Sequence, residues 1–100
     1  MIDWGRVVGF DWDAGNERKS VDKHRVSQAE AEQAFFNQPL LVLKDDRHSL
    51  VENRFHALGR SNDDRPLLVT FTLRREATLI RVISARDMSA RERMAYEKSS

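Results

Sequence analysis

Cysteine is absent from this 100-residue chain. Disulfides, thiolate nucleophiles and cysteine-bound zinc are therefore excluded, and the fold stands on packing alone. Proline and glycine are sparse, two and four residues, and no internal repeat, low-complexity segment or linker divides the chain. A single domain over residues 1–100 is expected. There is no glycine-rich phosphate loop, no EF-hand loop and no HExxH motif. The three histidines, His24, His48 and His56, are too far apart in sequence to suggest a metal site by spacing. No metal and no cofactor is expected. No stretch approaches the roughly 20 apolar residues of a membrane span, and Met1 to Asp13 lacks the apolar core of a signal peptide. The expectation is a cytoplasmic protein with no membrane partner.

What is present is a 40% apolar composition, enough for a modest core, and a 33% charged fraction that nearly cancels to +1. Bulk charge therefore does not declare a nucleic-acid binder, but its distribution is uneven. Residues 74–98 hold seven basic side chains against four acidic ones, and residues 1–73 hold ten against twelve. Arginine outnumbers lysine thirteen to four. Guanidinium is planar and weakly hydrated and grips phosphate through two parallel hydrogen bonds, so this bias leans toward phosphate.

Along the chain, Val7 to Trp12 is a short apolar run ending at Asp13, which can cap a helix over residues 14–24. Ser27 and Glu30 form a capping box that opens a second helix, with Ala31, Ala34 and Phe35 on its apolar side, and Asn37-Gln38-Pro39 ends it. Leu40 to Leu43 has strand character, with Asp45-Asp46-Arg47 as the loop after it. In Arg54 to Leu58, period two puts Arg54, His56 and Leu58 on one face and Phe55 and Ala57 on the other. Leu67 to Leu73 and Leu79 to Ala85 read as a long antiparallel hairpin turning at Arg74 to Ala77. Ser89 and Glu92 form a second capping box at the start of a terminal helix. The expectation is an α+β domain: a small antiparallel sheet of three to five strands with two N-terminal helices and one C-terminal helix.

Three blocks of this sequence resemble the BrnT family of toxins. Phe10-Asp11-Trp12-Asp13, Lys23-His24-Arg25-Val26-Ser27 and Glu30-Ala31 are similar to its FxWD, KHGVS and EA elements. Phe36-Asn37-Gln38-Pro39 and Glu52-Asn53-Arg54-Phe55, running to Gly59, resemble its FxDP segment and its ExR strand ending in glycine. Ile80 to Arg86, then Arg91-Glu92-Arg93 and Tyr96-Glu97, look like its IRIISAR and ERxxYE ending. The chain departs from the pattern at Asn16, Ser20, Arg25 and Gln28, where the family usually has lysine, asparagine, glycine and an aromatic. The resemblance implies a RelE-like fold, endoribonuclease activity that blocks translation, and a BrnA-like antitoxin encoded alongside. Operator DNA is then reached only through the antitoxin.

RNA can be cut without a metal when its 2′-hydroxyl attacks the adjacent phosphate, which requires proton transfer and stabilisation of an anionic phosphorus centre. Arg54, Arg81 and Arg86, in or at the end of strands, are the candidate catalytic arginines. Arg81 alternates with Leu79, Ile83 and Ala85, so its face is otherwise apolar, and a guanidinium there requires an anion. That anion is either phosphate or a carboxylate such as Asp11, Glu52 or Glu92. His24 is the candidate proton-transfer residue, imidazole being the side chain that titrates near neutrality, or else it serves the C-terminal dipole of its helix. Lys23 can hold RNA, though adjacent helical residues do not face the same way. Tyr96 can stack on a base or fill the core. Glu52 is a possible base or an arginine's partner, Glu92 a cap, and His48 and His56 rank lower, although His56 shares a face with Arg54. Two other readings stay open: a non-catalytic nucleic-acid or protein-binding module, and an inactive relic that only binds antitoxin.

Overall fold

The computed structural model describes residues 2–12, 24–48 and 53–99. The chain forms β1 (Gly9–Phe10), α1 (Gln28–Gln33), β2 (Leu41–Asp45), β3 (Arg54–Arg60), β4 (Pro66–Arg74), β5 (Leu79–Asp87) and α2 (Ala90–Lys98), with 3-10 turns at Trp4–Arg6 and Asp46–His48. Two α-helices thus stand among the described residues, where three were expected. The expected helix over residues 14–24 lies outside them except for His24, which has helical backbone. Both capping boxes form: Ser27 and Ser89 accept from the backbone N–H of Glu30 and Glu92, and each glutamate accepts from its serine's N–H. No helix of the described residues is long and apolar enough to cross a membrane.

One five-stranded sheet runs in the order β1-β5-β4-β3-β2. Neighbours from β2 to β5 are antiparallel. The wholly antiparallel expectation needs one correction, because β1 lies parallel to β5, with Gly9 beside Leu79 and Phe10 beside Ile80. Parallel neighbours need a crossover connection, and nearly the whole domain lies between these two strands.

Alternation gives the sheet two unlike faces. One packs against α1 and holds the main core, including Val26, Ala31, Ala34, Val69, Phe71 and Val82, all at or below 1% exposure. Here Gly59 is required by close approach: a Cβ would stand 2.5 Å from the Ala34 carbonyl oxygen. The other face has a smaller apolar cluster of Leu58, Leu68, Met88 and Tyr96, the last brought by α2. α2 covers only part of that face.

A bulge in β5 decides which arginines share this face. Thr70 pairs with Ser84 but Phe71 pairs with Val82, leaving Ile83 as the extra residue. Strict alternation would set Arg81 with Ala85. Instead Ile80, Val82 and Ala85 all enter the main core, and Arg81 moves to the face of Arg86.

Arg25 has φ 54°, in the left-handed region that costs a side-chain-bearing residue about 1 kcal/mol. Glycine, which has no Cβ, adopts this conformation without that cost. Arg25→Gly is expected to raise stability by up to about 1 kcal/mol, an increase of roughly 4–8 °C in melting temperature for a domain of this size. Thermal melts of the two proteins check this.

Candidate functional site

Strand register sets the polar side chains of the open face in rows across the sheet. In the first row Asp45 pairs with Arg54, Arg54 with Thr72, and Thr72 with Arg81. Asp11, whose N–H donates to the Ile80 carbonyl, completes it at the β1 edge. In the second row Leu43 pairs with His56, His56 with Thr70, and Thr70 with Ser84. The third row, Leu41, Leu58, Leu68 and Arg86, is the one covered by α2. Arg54 and Arg81 flank Thr72 with their Cα atoms two strand spacings apart, about 10 Å. Long guanidinium side chains at that separation can converge on one phosphate.

Carboxylates and hydroxyls hold this array. Arg81 Nη1 lies 3.4 Å from Asp11 Oδ2, and the two side chains are 24% and 35% exposed. A pair that solvated contributes little net stability, so an incoming phosphate can take Asp11's place at small cost. His56 spans three strands, its Nδ1 2.9 Å from Thr70 Oγ1 and its Nε2 3.3 Å from Asp45 Oδ2. Asp45 is buried while the imidazole is one-third exposed, so the ring is held from the neighbouring strand and keeps an open side. Thr72 Oγ1 donates to the Asn53 carbonyl and ties the entry of β3 to β4.

Arg86 is placed differently from its two fellow candidates. Its Nη1 and Nη2 donate to Glu92 Oε1 and Oε2, each at 2.8 Å, and Nη1 also donates to the Asp87 carbonyl. The hydrogen bonds from Arg86 hold the Glu92 carboxyl well below its ordinary range, at about 2, and Glu92 raises the Arg86 guanidinium in turn. This fork docks α2 on the sheet. Because the folded-state value is depressed, its stabilisation is fully present above pH 4.5 and is lost as pH falls through about 2. The difference in melting temperature between wild type and Glu92→Gln is expected to shrink across that window.

The other candidates lie apart from the first row. The His24 carbonyl accepts from Arg65 Nη2, and its imidazole is close enough to Asp87 to help lower that carboxyl, after the larger effect of the Arg65 hydrogen bonds. Asp87 is six residues along β5 from Arg81, so roughly 15–20 Å separates His24 from the Arg54–Arg81 row. Lys23, Glu52 and Asp13 lie outside the described residues. Tyr96 is 7% exposed and its hydroxyl donates to the Pro39 carbonyl at 2.6 Å. Burial raises its pKa, and in this position its ring packs in the smaller cluster.

Sequence reasoning gave no role to Arg65, which binds Asp87 through Nε and Nη2, Glu30 through Nη1, and the Arg25 carbonyl. It joins the sheet end to α1 and to the segment before it. Reasoning also missed Asp45, read as loop, together with Thr70 and Thr72. The two threonines had a signal, since they alternate with Val69, Phe71 and Leu73 in β4. Asp45 had none, because its partner His56 is brought by strand pairing.

Residues 12–92 match the family model described as the ribonuclease toxin, BrnT, of type II toxin–antitoxin systems. A search of curated proteins gives no match.

Proposed function

The chain belongs to the BrnT family of ribonuclease toxins of type II toxin–antitoxin systems, and from that membership we propose that it is an endoribonuclease working without a metal on the sheet face of Arg54, His56 and Arg81. The supporting observation is the first row, which puts two arginines on either side of Thr72 with a fixed histidine in the next row. Arg54 and Arg81 grip the scissile phosphate and offset charge as the phosphorus centre becomes crowded, the task that an ion would otherwise perform. The 2′-oxygen loses its proton and bonds to phosphorus, the bond from phosphorus to the 5′-oxygen breaks, and the leaving oxygen takes up a proton. One proton thus moves from the 2′- to the 5′-oxygen. His56 carries it once RNA loosens the 3.3 Å contact between its Nε2 and Asp45. His24 is the competing proton carrier, with Lys23 beside it as an RNA contact. Arg86 keeps α2 at the border of the site, and Tyr96 anchors that helix.

Membership in a type II system implies an RNA substrate and an antitoxin partner. In this reading the antitoxin is BrnA-like, covers the arginine face with acidic side chains, and alone contacts operator DNA. The toxin acts in the cytoplasm, where cleaving messages stops translation.

Controlled expression in bacteria tests the proposal, with growth and total RNA integrity followed for wild type, His24→Ala and His56→Ala. Growth arrest with RNA loss is expected for wild type and His24→Ala, and a much weaker effect for His56→Ala. Loss of effect in His24→Ala alone would move proton transfer to His24. No arrest from soluble wild type would identify an inactive, antitoxin-binding relic.

A further inference from the structure

Thr70 stands at the centre of the open face. Its strand β4 lies between β3 and β5, and its Cα is paired with His56 on one side and Ser84 on the other. Thr70 is 8% exposed, and a β-branched side chain has few χ1 positions, so its Oγ1 is a fixed point. That oxygen is 2.9 Å from His56 Nδ1. Asp45, on the edge strand β2, is 3.3 Å from Nε2, longer than the roughly 2.7–2.9 Å of a charge-assisted hydrogen bond. Of the two contacts to the ring, the one to Thr70 is the tighter.

The two partners also differ in what they can do, because an ionised carboxylate only accepts whereas a threonine hydroxyl both donates and accepts. Resting on the function proposed above, we infer that Thr70 is a positioning residue for His56, holding Nδ1 in both tautomers that proton transfer requires. In the free protein the neutral ring carries its proton on Nε2, toward Asp45, and the Thr70 hydroxyl donates to the bare Nδ1. When RNA displaces the Asp45 contact, the Nε2 proton leaves to water on the open side of the ring and water protonates Nδ1. The ring stays neutral, and the hydroxyl turns to accept from Nδ1–H. Nε2 then has a lone pair for the proton of the 2′-hydroxyl and passes that proton to the 5′-oxygen, while Nδ1–H keeps its bond to Thr70. Thr70 touches no reacting atom in this cycle; it keeps the ring in one orientation while the proton moves.

The test is a double-mutant cycle on RNA cleavage, joined to the nitrogen NMR spectrum of the His56 ring. Thr70→Val keeps a branched side chain suited to a strand and removes the hydroxyl, which Thr70→Ser retains. Cleavage at saturating RNA is expected to fall roughly tenfold in Thr70→Val, about the contribution of one hydrogen bond, with KM unchanged and activity kept in Thr70→Ser. Added to His56→Ala, the same Thr70→Val change should lower the residual cleavage no further, because the hydroxyl acts only through the ring. Equal losses in both backgrounds, or full activity in Thr70→Val, would overturn the inference and leave the ribonuclease reading standing. The ring spectrum of the free proteins, read in alkaline buffer, should show Nε2 protonated in wild type. The bare Nδ1 resonance should move downfield in Thr70→Val and stay in place in Thr70→Ser. A wild-type ring protonated on Nδ1, or an Nδ1 resonance common to all three proteins, would also overturn the inference. Should Thr70→Val fail to fold, the wild-type tautomer decides. Should wild type cut nothing, the ribonuclease reading fails by itself and the spectrum still judges whether Thr70 holds the ring.

Discussion

Replacing Arg81 by alanine should give a folded protein whose RNA cleavage is lower by about 10²–10³-fold, the loss seen when one preorganised charge-stabilising donor is removed from an active site. Retention of the fold follows from the surroundings of Asp11. That carboxylate is 35% exposed, so water solvates it once its partner is gone, and no buried charge is stranded. A large kinetic loss with a small stability change is the signature of a functional arginine. The check is single-turnover cleavage by the two proteins beside their thermal melts. A variant that unfolds would make Arg81 a structural charge, and one that cleaves normally would remove it from the site.

Gly59→Val should be the most damaging single change to the fold. Even an alanine Cβ at this position would lie 2.5 Å from the Ala34 carbonyl oxygen and 3.2 Å from the Ala34 carbonyl carbon and Cβ. The obstacle is backbone and cannot rotate away. Relief requires α1 to lift from β3, which opens the packing of Ala31 and Ala34 against the sheet. Overpacking of this kind costs about 1–3 kcal/mol for alanine and more for the branched valine, a large part of a small domain's stability. Urea unfolding of wild type, Gly59→Ala and Gly59→Val should give midpoints falling in that order. Equal midpoints would mean that α1 is not tightly seated.

What was legible in the sequence was local. Both capping boxes are read from residues three apart, and both occur. The hairpin of β4 and β5 and the faces of β3 follow from alternation within one strand, so Arg54 and His56 were already together. The resemblance marked Gly59 and Arg81, and structure supplies the reasons: a backbone contact for one and a position in the arginine row for the other. What was not legible depends on pairing between distant strands. The parallel seat of β1 brings Asp11 to Arg81 across 70 positions. The bulge at Ile83 reverses alternation within β5, so counting by two puts Arg81 with Ala85 rather than with Arg86. His56 ranked below His24 because its environment, a buried Asp45 and Thr70, comes from the two neighbouring strands.

The location of bound RNA is the central claim, and a non-cleavable 2′-O-methyl oligonucleotide tests it most directly by mapping backbone amide shifts on the wild-type protein. The account predicts saturable shifts at Arg54, His56, Thr72 and Arg81, with the amides of α1 and of Arg65 unmoved. Shifts confined to Arg65, Asp87 and His24, at the opposite end of the strands, would contradict it.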